Sequence, residues 1–570
     1  MPESLLKAFF LGEVPDALLF PYPELAPQEA ARVHSLIEST RKYVKSQVDS
    51  AAIDRQAHIP PEVLRGLGDL GLFGLLVPKA YGGSGLSLSG FARVIEELSG
   101  LDASVAVVVG AHQSIGLMGL LTSGTEAQKA AFLPALARGE KIAAFALSEL
   151  GAGSDAASIR TRAERVPGGY RITGTKAWTT NGSIADVLVV FARTGPEHDG
   201  KRPRIIALIV ERGAGGVTVG EDAPKLGIRG VSTPPLAFDG TFVSDANVLG
   251  DPTRGFKVAM EVLNVGRITL AAGCVGAAKH AIKLAVARAG ERRAFGRSIG
   301  EFGLIKDKIA TMMADTFALE SATYLTAHLV DAGVKDVGIE AAACKIMGSE
   351  TLWRVVGETL QVAAGIGYMQ EHAYERMLRD SRIQLVLQGT SEILRSYIAL
   401  SGLEGPRDQL QGMKRALKAP VRGIGALSDF AFKRARDALG RERLGKTHPV
   451  LAREAALIDG YVLELSRAAE RALLKHGKHI AEMQFTQRRL SEMAMDLYAL
   501  TAVVARTSRV IERRGVEGSR RERDLTSIFA TTVERRLALN VAAFAMNDDE
   551  LRKSVASRAY DDGGYALDIL

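Results

Sequence analysis

The sequence predicts an α+β protein that is mostly helical, with one sheet domain between helical domains. Helical patterns fill residues 1–142 and return at 251–570, whereas 143–250 contains short β-branched runs separated by Gly and Pro. Strands and helices do not alternate along the chain, which excludes a parallel doubly wound sheet and a TIM barrel. A chain of 570 residues is long enough for about three to five domains.

Four domains are expected from these changes of pattern. They are an N-terminal helical domain (1–142), a central antiparallel β-barrel domain (143–250), a helical bundle (251–402) and an extra C-terminal helical domain (403–570). In the last domain, apolar residues that step by three and four predict a seam buried inside a bundle. These residues are Leu490, Met493, Leu497, Leu500 and Val504.

Composition excludes several classes of protein. The two cysteines, Cys274 and Cys344, are too few for a disulfide scaffold or a Cys-rich metal site, and we expect buried, reduced thiols and no metal. A net charge of +7 is mild and fits an anionic ligand, and without an RNP-like motif or a zinc finger we expect no nucleic-acid partner.

Two segments bear on location. Residues 103–121 contain no Asp, Glu, Lys or Arg but include His112 and Gln113, which favours a buried core helix over a membrane span. The first residues have no basic or long apolar region typical of a signal peptide. We therefore expect a cytoplasmic protein, with peripheral contact at the inner face of the membrane left open.

Three short segments are candidate ligand contacts, each with a simpler alternative. Gly151 and Gly153 in 147–155 would let backbone N–H groups approach a phosphate, or they form an ordinary turn. Trp178 could stack on a planar ring, or it belongs to the core. The arginines of 292–297 suit a phosphate, or they are a solvated charge cluster.

In this order and across an α–β–α chain, these segments resemble the acyl-CoA dehydrogenase family of FAD-dependent flavoproteins. The resemblance rests on residues 147–155, 178–182, 225–229, 292–296 and 388–391. Within the family, the chain is similar to the very-long-chain branch, which has an extra C-terminal helical domain. That similarity rests on residues 20–23, 110–116, 301–305 and 484–499.

The resemblance implies non-covalent FAD and a homodimer in which Arg292 reaches the FAD of the neighbouring subunit. It implies that Trp178, Thr179 and Thr180 flank the isoalloxazine ring, and that Gln361 and Gly365 contact the adenosine end. The remaining implied FAD contacts are Phe145, Leu147, Ser148, Gly153, Ser154, Thr390 and Ser391.

The resemblance also implies a reaction, the oxidation of a long- or very-long-chain acyl-CoA to the trans-2-enoyl-CoA, with an electron-transfer flavoprotein as acceptor. A backbone N–H at position 388 helps to polarise the thioester carbonyl. Ser154, Asn264, Arg267 and Gly389 match substrate-lining positions.

The general base of the family is missing from this sequence. A glutamate is expected at position 388, where this chain has Gln388, or in other branches at position 266, where it has Gly266. A neutral amide cannot usefully accept an α-proton, and loss of a general base slows a reaction on the order of 10²–10⁴-fold. An engineered substitution and a natural paralogue both explain Gln388.

Two other functions therefore stay open beside the dehydrogenase. The chain could be a non-catalytic protein that binds FAD and acyl-CoA, or a flavin oxidase or oxygenase on the same fold. Flavin bleaching by substrate without oxygen separates a dehydrogenase from a binding protein, and hydrogen peroxide production reveals an oxidase.

A basic amphipathic segment of the C-terminal domain is a candidate membrane contact. Phe430, Phe432, Ala435 and Leu439 share one face, and Lys433, Arg434, Arg436 and Arg441 surround it. Such a helix can lie on an anionic bilayer, or it can pack on its own bundle.

Overall fold

The structure, a computed structural model, describes residues 4–195, 204–418 and 444–568. Its N-terminal part is helical, as predicted. Val33, Phe73, Phe91, Leu98 and Val105 belong to the core that most of these helices share. The helices are α1 (Leu5–Phe10), α2 (Pro27–Gln47), α3 (Ser50–Gln56), α4 (Pro61–Asp69), α5 (Leu88–Leu101), α6 (Ala103–Ala111), α7 (Met118–Ser123) and α8 (Glu126–Ala137).

The charge-free stretch forms α6, a π-helical turn (His112–Gly116) and the start of α7. By length and composition alone, Ala103–Ser123 and Gly255–Glu291 could cross a membrane. However, the fold buries 78% and 61% of their most apolar windows. The first stretch is therefore a buried core segment, as the sequence predicts.

The π-helical turn joins the helices to the sheet. His112 Nδ1 accepts a hydrogen bond from the Ala143 N–H at 2.9 Å, and its Nε2 lies 3.1 Å from the Leu136 carbonyl oxygen. Burial lowers the pKa of His112 to about 4, so the ring is neutral at pH 7. Gln113 bonds the backbone of Leu72 and Leu76. His112 and Gln113 therefore have structural partners within the fold.

The middle of the chain forms a seven-stranded curled sheet. Its strands are β1 (Ala143–Ala146), β2 (Arg162–Val166), β3 (Gly169–Lys176), β4 (Val187–Thr194), β5 (Arg204–Glu211), β6 (Val217–Val219) and β7 (Leu236–Ser244). The order runs β1–β4–β2–β3–β7–β6, and β5 pairs with β4. A single bridge between Leu208 in β5 and Val248 after β7 draws distant parts of the sheet together.

The sheet domain lies where the sequence predicts it, but the sheet is mixed and not antiparallel throughout. β1 runs parallel to β4, with Ala143 opposite Val187, and β2 meets β4 in parallel at Arg162 and Arg193. The pairs β2–β3, β3–β7, β4–β5 and β6–β7 are antiparallel. Parallel partners need long connections rather than hairpins, so short turn signals could not reveal them.

Strands β4 and β5 are buried on both faces. Val187, Val189 and Phe191 face the helices, whereas Leu188 and Val190 face the interior of the curled sheet. Two-sided burial explains why these strands are continuous apolar runs in the sequence instead of alternating ones.

Helices, several of them long, follow the sheet in the described part of the chain. They are α9 (Gly255–Glu291), α10 (Gly303–Asp331), α11 (Gly338–Ala363), α12 (Ala373–Arg382), α13 (Ser391–Gly402), α14 (Glu404–Lys418), α15 (Ala452–His476), α16 (Gln484–Gly518), α17 (Arg520–Ala543) and α18 (Asp549–Asp561). A small hairpin, β8 (Arg293–Ala294) and β9 (Arg297–Ser298), follows α9. Gly515 has a non-helical backbone that kinks α16.

The C-terminal helices share one core with α10 and α11. All five residues of the predicted seam are fully buried there, which confirms packing inside a bundle. The Tyr498 hydroxyl lies 2.6 Å from that of Thr326, which in turn lies 3.0 Å from the Cys344 sulfur. Both cysteines are free and buried, and burial raises the pKa of each thiol to about 12.

A buried ionic cluster also joins the C-terminal helices to the preceding helical domain. The Arg506 guanidinium of α16 donates to Glu320 of α10 at 2.9 Å and lies over the Phe317 ring. Lys279 of α9 contacts Glu320 and donates to Glu96 at 2.7 Å. Although burial raises the pKa of Glu320, the neighbouring Arg506 and Lys279 charges outweigh it and hold that pKa well below its usual range.

We expect Arg506→Met to lower the free energy of unfolding by about 3 kcal/mol, because it leaves Glu320 buried with only one cation. Urea denaturation followed by tryptophan fluorescence measures this change. Arg513→Met is the matched control: its ion pair with Glu24 is exposed, so its loss is expected to cost less than about 1 kcal/mol.

The double variant Arg506→Met/Glu320→Gln should be more stable than Arg506→Met, since it removes the uncompensated carboxylate. A single variant as stable as the parent would show that the pair does not hold the C-terminal helices to the core.

Candidate active site

Position 388 lies in a tight turn before α13. Gln388 has φ +57° and Gly389 has φ +103°, both in the left-handed region. That conformation is costly for a residue with a side chain and persists only where the surrounding structure imposes it. Thr390 then caps α13, its hydroxyl accepting from the Ile393 N–H at 3.4 Å.

The structure brings together the two positions at which the sequence lacks a base. A Cβ added to Gly266 would lie 3.0 Å from the Gln388 side-chain nitrogen, 3.1 Å from its oxygen and 2.8 Å from Ile115 Cγ2. The Gln388 amide therefore fills the space above Gly266. Its Oε1 is buried and has no hydrogen-bond partner in the described part of the chain.

Two buried cations hold consecutive carbonyl groups of this turn. Arg267 Nε donates to the Gln388 carbonyl at 3.3 Å, and Lys345 Nζ donates to the Gly389 carbonyl at 2.7 Å. Burial lowers the pKa of both side chains, to about 8 for Lys345. Arg267 also donates to Asn264 Oδ1 at 2.9 Å. Asn264, Arg267 and Gly389, predicted to line the substrate, thus form one group around position 388.

Ser154, the fourth predicted substrate contact, does not belong to that group. It is exposed in the loop after Gly153. No hydrogen bond joins it to the turn at 388 within the residues that the structure describes.

The predicted flavin loop, residues 147–155, is held by a buried ion pair that the sequence did not reveal. Lys176 Nζ donates to Glu149 at 2.8 Å and to the Leu147 carbonyl at 3.0 Å. Glu149 also accepts from the Thr161 hydroxyl at 2.6 Å and from the Arg160 N–H at 2.6 Å. Burial lowers the pKa of Lys176 to about 8. Burial alone would raise the pKa of Glu149, but its hydrogen bonds to Lys176, Thr161 and Arg160 hold that pKa below its ordinary value.

This ion pair joins two of the predicted cofactor segments. The Ala177 N–H donates to the Ser148 carbonyl at 2.9 Å, so the strand end before Trp178 lies against residues 147–149. Phe145 of β1 packs on Phe191, with ring centroids 4.8 Å apart. Of the loop glycines, Gly151 and Gly153 would leave an added Cβ in open space.

Trp178 is not a core residue. Its backbone is left-handed, with φ +53°, and 55% of its surface is exposed. Thr179 beside it is buried, and its hydroxyl has no partner among the described residues. The same holds for the Ser391 hydroxyl in the first turn of α13. An exposed indole and buried unpaired hydroxyls are what a planar, polar-edged cofactor would satisfy.

The predicted adenosine and pyrophosphate contacts lie on exposed segments. Arg292 caps the C-terminus of α9, and Phe295 at the tip of the following hairpin is 94% exposed. Gln361 is in the last turn of α11, and Gly365 is in the 3₁₀ turn after it. Within the described residues, no hydrogen bond connects Arg292 to the loop at 147–155.

Residues 225–229 dock on α12. The Ile228 N–H donates to Asp380 at 2.5 Å, and Arg379 donates to the Leu226 carbonyl at 3.1 Å. A Cβ on Gly227 would lie 2.3 Å from the Arg379 carbonyl oxygen, so only glycine fits there.

Lys345 was also missed, although the sequence contains a signal for it. It is the only cation in the first turns of α11, at 338–346, where Glu340 is the other charged residue, and a buried cation needs a partner. Glu149 and Lys176 offered no such signal, since they are 27 residues apart.

No group of three or more His, Cys, Asp or Glu residues suited to a metal ion occurs in the described ranges. The candidate membrane segment at 430–441 lies outside those ranges.

Family models match most of the chain in sequence order. They are the acyl-CoA dehydrogenase N-terminal domain (31–140), middle domain (144–241) and C-terminal domain (253–403), and the ACAD9/ACADV C-terminal domain (449–565).

Individual relatives match over nearly the full length. The very long-chain specific acyl-CoA dehydrogenase of Homo sapiens mitochondria is 38% identical over 99% of this chain and 88% of its own. The structure of an acyl-CoA dehydrogenase complexed with FAD from Bacillus anthracis is similar with a TM-score of 0.81 and 29% identity, over 97% of this chain and 94% of that one.

A further similar structure is described as the electron transferring flavoprotein of Acidaminococcus fermentans. It has a TM-score of 0.64 and 31% identity, over 67% of this chain and 99% of that one. The full-length identity and the four matched domains show that this chain belongs to the FAD-dependent acyl-CoA dehydrogenase family.

Proposed function

We propose that this chain binds FAD and a long- or very-long-chain acyl-CoA, and that it oxidises the thioester to the trans-2-enoyl-CoA at a rate limited by Gln388. The observation that carries the proposal is the turn at 388. Two buried cations hold its backbone, and its side chain fills the space where the family places a base.

The residues present fit FAD. The half-exposed Trp178 ring supplies a stacking surface, and the buried hydroxyls of Thr179 and Ser391 have unused hydrogen-bonding capacity. The N-terminus of α13, which begins at Ser391, favours nearby negative charge. FAD, when bound, supplies the acceptor for the β-hydride.

The chain's own residues would bind and polarise the thioester. Asn264 and Arg267 border the turn, and the backbone N–H at position 388 would donate to the thioester carbonyl, because a side-chain change does not remove it. The preference for long chains rests on the similarity to very long-chain specific relatives.

Removal of the α-proton is the step for which this chain lacks a group. Neither 388 nor 266 carries a carboxylate, and an amide oxygen is too weak a base. The same observation favours a second candidate function, a protein that binds FAD and acyl-CoA without catalysis.

Two partners are proposed, a second copy of the chain from its exposed residues and an electron acceptor from its relatives. Phe295 and Arg292 project from the subunit, as expected if a second copy covers the hairpin and shares an FAD site, so we propose a homodimer. An electron-transfer flavoprotein as acceptor is supported by the family and by the similar structure from Acidaminococcus fermentans. Membrane contact through 430–441 and a cytoplasmic location stay predictions from the sequence.

We expect Gln388→Glu to speed flavin reduction by palmitoyl-CoA on the order of 10²-fold or more, because it restores the general base. Anaerobic stopped-flow absorbance of the flavin measures the rate. Gln388→Ala is the control: it removes the amide without adding a carboxylate and should stay slow.

A parent protein that already turns over fast would refute the mechanism. A Gln388→Glu variant no faster than the parent, but still able to bind palmitoyl-CoA, would favour the non-catalytic function.

We expect Gly266→Glu alone to rescue poorly, because the Gln388 side chain fills the space 3.0 Å from the new Cβ. The double variant Gly266→Glu/Gln388→Gly should reduce the flavin at least about 10-fold faster than Gly266→Glu, because glycine frees that space and tolerates a positive φ. The same stopped-flow assay compares them. Equal rates would show that position 388 does not obstruct a base at 266.

A further inference from the structure

Lys345 is a buried lysine that forms no ion pair with any of the described residues. Its side chain lies on α11 and is fully buried. Among the described residues, its ammonium hydrogen-bonds the Gly389 carbonyl, at 2.7 Å. Cys274 and Arg267 from α9, Glu350 from α11 itself and Glu392 from α13 are the titratable and charged groups that face it.

This placement costs stability. Burial lowers the pKa of Lys345 from 10.5 to about 8, so the folded state disfavours the charge that the unfolded state carries freely. Between pH 8 and 10.5 the unfolded state binds more protons, and stability rises with pH through that window. An apolar side chain of the same length would avoid this penalty, although it would leave the Gly389 carbonyl without its donor. The buried charge is therefore costly, and the hydrogen bond to the turn is the contact that offsets it.

The hydrogen bond acts on the turn that carries the missing base. Gln388 and Gly389 are consecutive residues with positive φ. Arg267 from α9 holds the first carbonyl and Lys345 from α11 holds the second. Both helices are long and packed in the core, so their side chains are fixed points for a turn that is otherwise strained.

We propose that Lys345 is a positioning residue for the reaction. By holding the Gly389 carbonyl it fixes the left-handed turn, so that the N–H and the side chain at 388 face the acyl thioester. Lys345 touches neither substrate nor flavin in this role. The inference rests on the proposed function, since it assumes that a thioester binds at this turn.

The test compares the FAD-loaded full-length protein with its Lys345→Met variant, using palmitoyl-CoA labelled with ¹³C at the carbonyl. Infrared difference spectra report how far binding lowers the carbonyl stretching frequency, which measures polarisation. We expect the variant to lose at least half of that shift and to bind palmitoyl-CoA about 10-fold more weakly. Its FAD content should equal that of the parent.

Thermal unfolding separates positioning from a structural role. Lys345→Met should unfold at the same temperature as the parent or higher, because a buried charge is removed. The contrasting variant is Lys176→Met, which leaves Glu149 buried without its cation and should unfold at a lower temperature.

The pH profile is a second readout. In the parent, the carbonyl shift should shrink as the pH rises through about 8, since the ammonium becomes an amine and its hydrogen bond weakens. In Lys345→Met the shift should not change over this range. Burial raises the pKa of the facing Cys274 thiol to about 12, so it does not titrate there.

Each contrary outcome has a distinct meaning. An unchanged carbonyl shift in Lys345→Met overturns the role of Lys345 and leaves the proposed function standing. A lost shift together with a lower unfolding temperature shows a structural role and also overturns it. A parent that binds no FAD, or shows no carbonyl band with palmitoyl-CoA, overturns the proposed function and this role with it.

Discussion

Close contact between helix backbones around α9 is the constraint on which the site depends. A Cβ on Gly276 would lie 1.7 Å from the Glu96 carbonyl oxygen of α5, and one on Gly348 of α11 would lie 3.2 Å from the Ala271 Cα. Only glycine permits the first approach, and a larger residue at 348 would need its neighbour to shift by a few tenths of an ångström. Because small residues let α5, α9 and α11 pack so closely, side chains from two of these helices reach the same turn before α13.

The close packing of these helices explains how the turn at 388 and 389 keeps a left-handed backbone conformation. Arg267 and Lys345 bond successive carbonyl groups, and the Gln388 side chain fits over Gly266 because that residue has no side chain. The arrangement keeps the groups that would bind and polarise a thioester while lacking the group that would take its proton. Substrate binding and proton removal are therefore separable properties of this chain.

Buried charges do different work in different parts of the fold. Lys176 and Glu149 neutralise each other and tie the predicted flavin loop to the end of β3. Arg506 and Lys279 are balanced by Glu320 and Glu96, and this cluster ties the C-terminal helices to α5, α9 and α10. Lys345 has no such partner among the described residues. The paired charges stabilise contacts between parts of the fold, whereas Lys345 binds the backbone of a turn at the site.

The sequence by itself determined the succession of helical and sheet regions, the buried seam of α16, the family and the absence of a carboxylate at 388 and 266. Those features depend on local periodicity and on short segments. Tertiary structure alone decided that β1 and β4 pair in parallel, that Glu149 meets Lys176, and that positions 266 and 388 share one space. These contacts join residues far apart in the chain, and no local pattern records which distant side chain will fill a given gap.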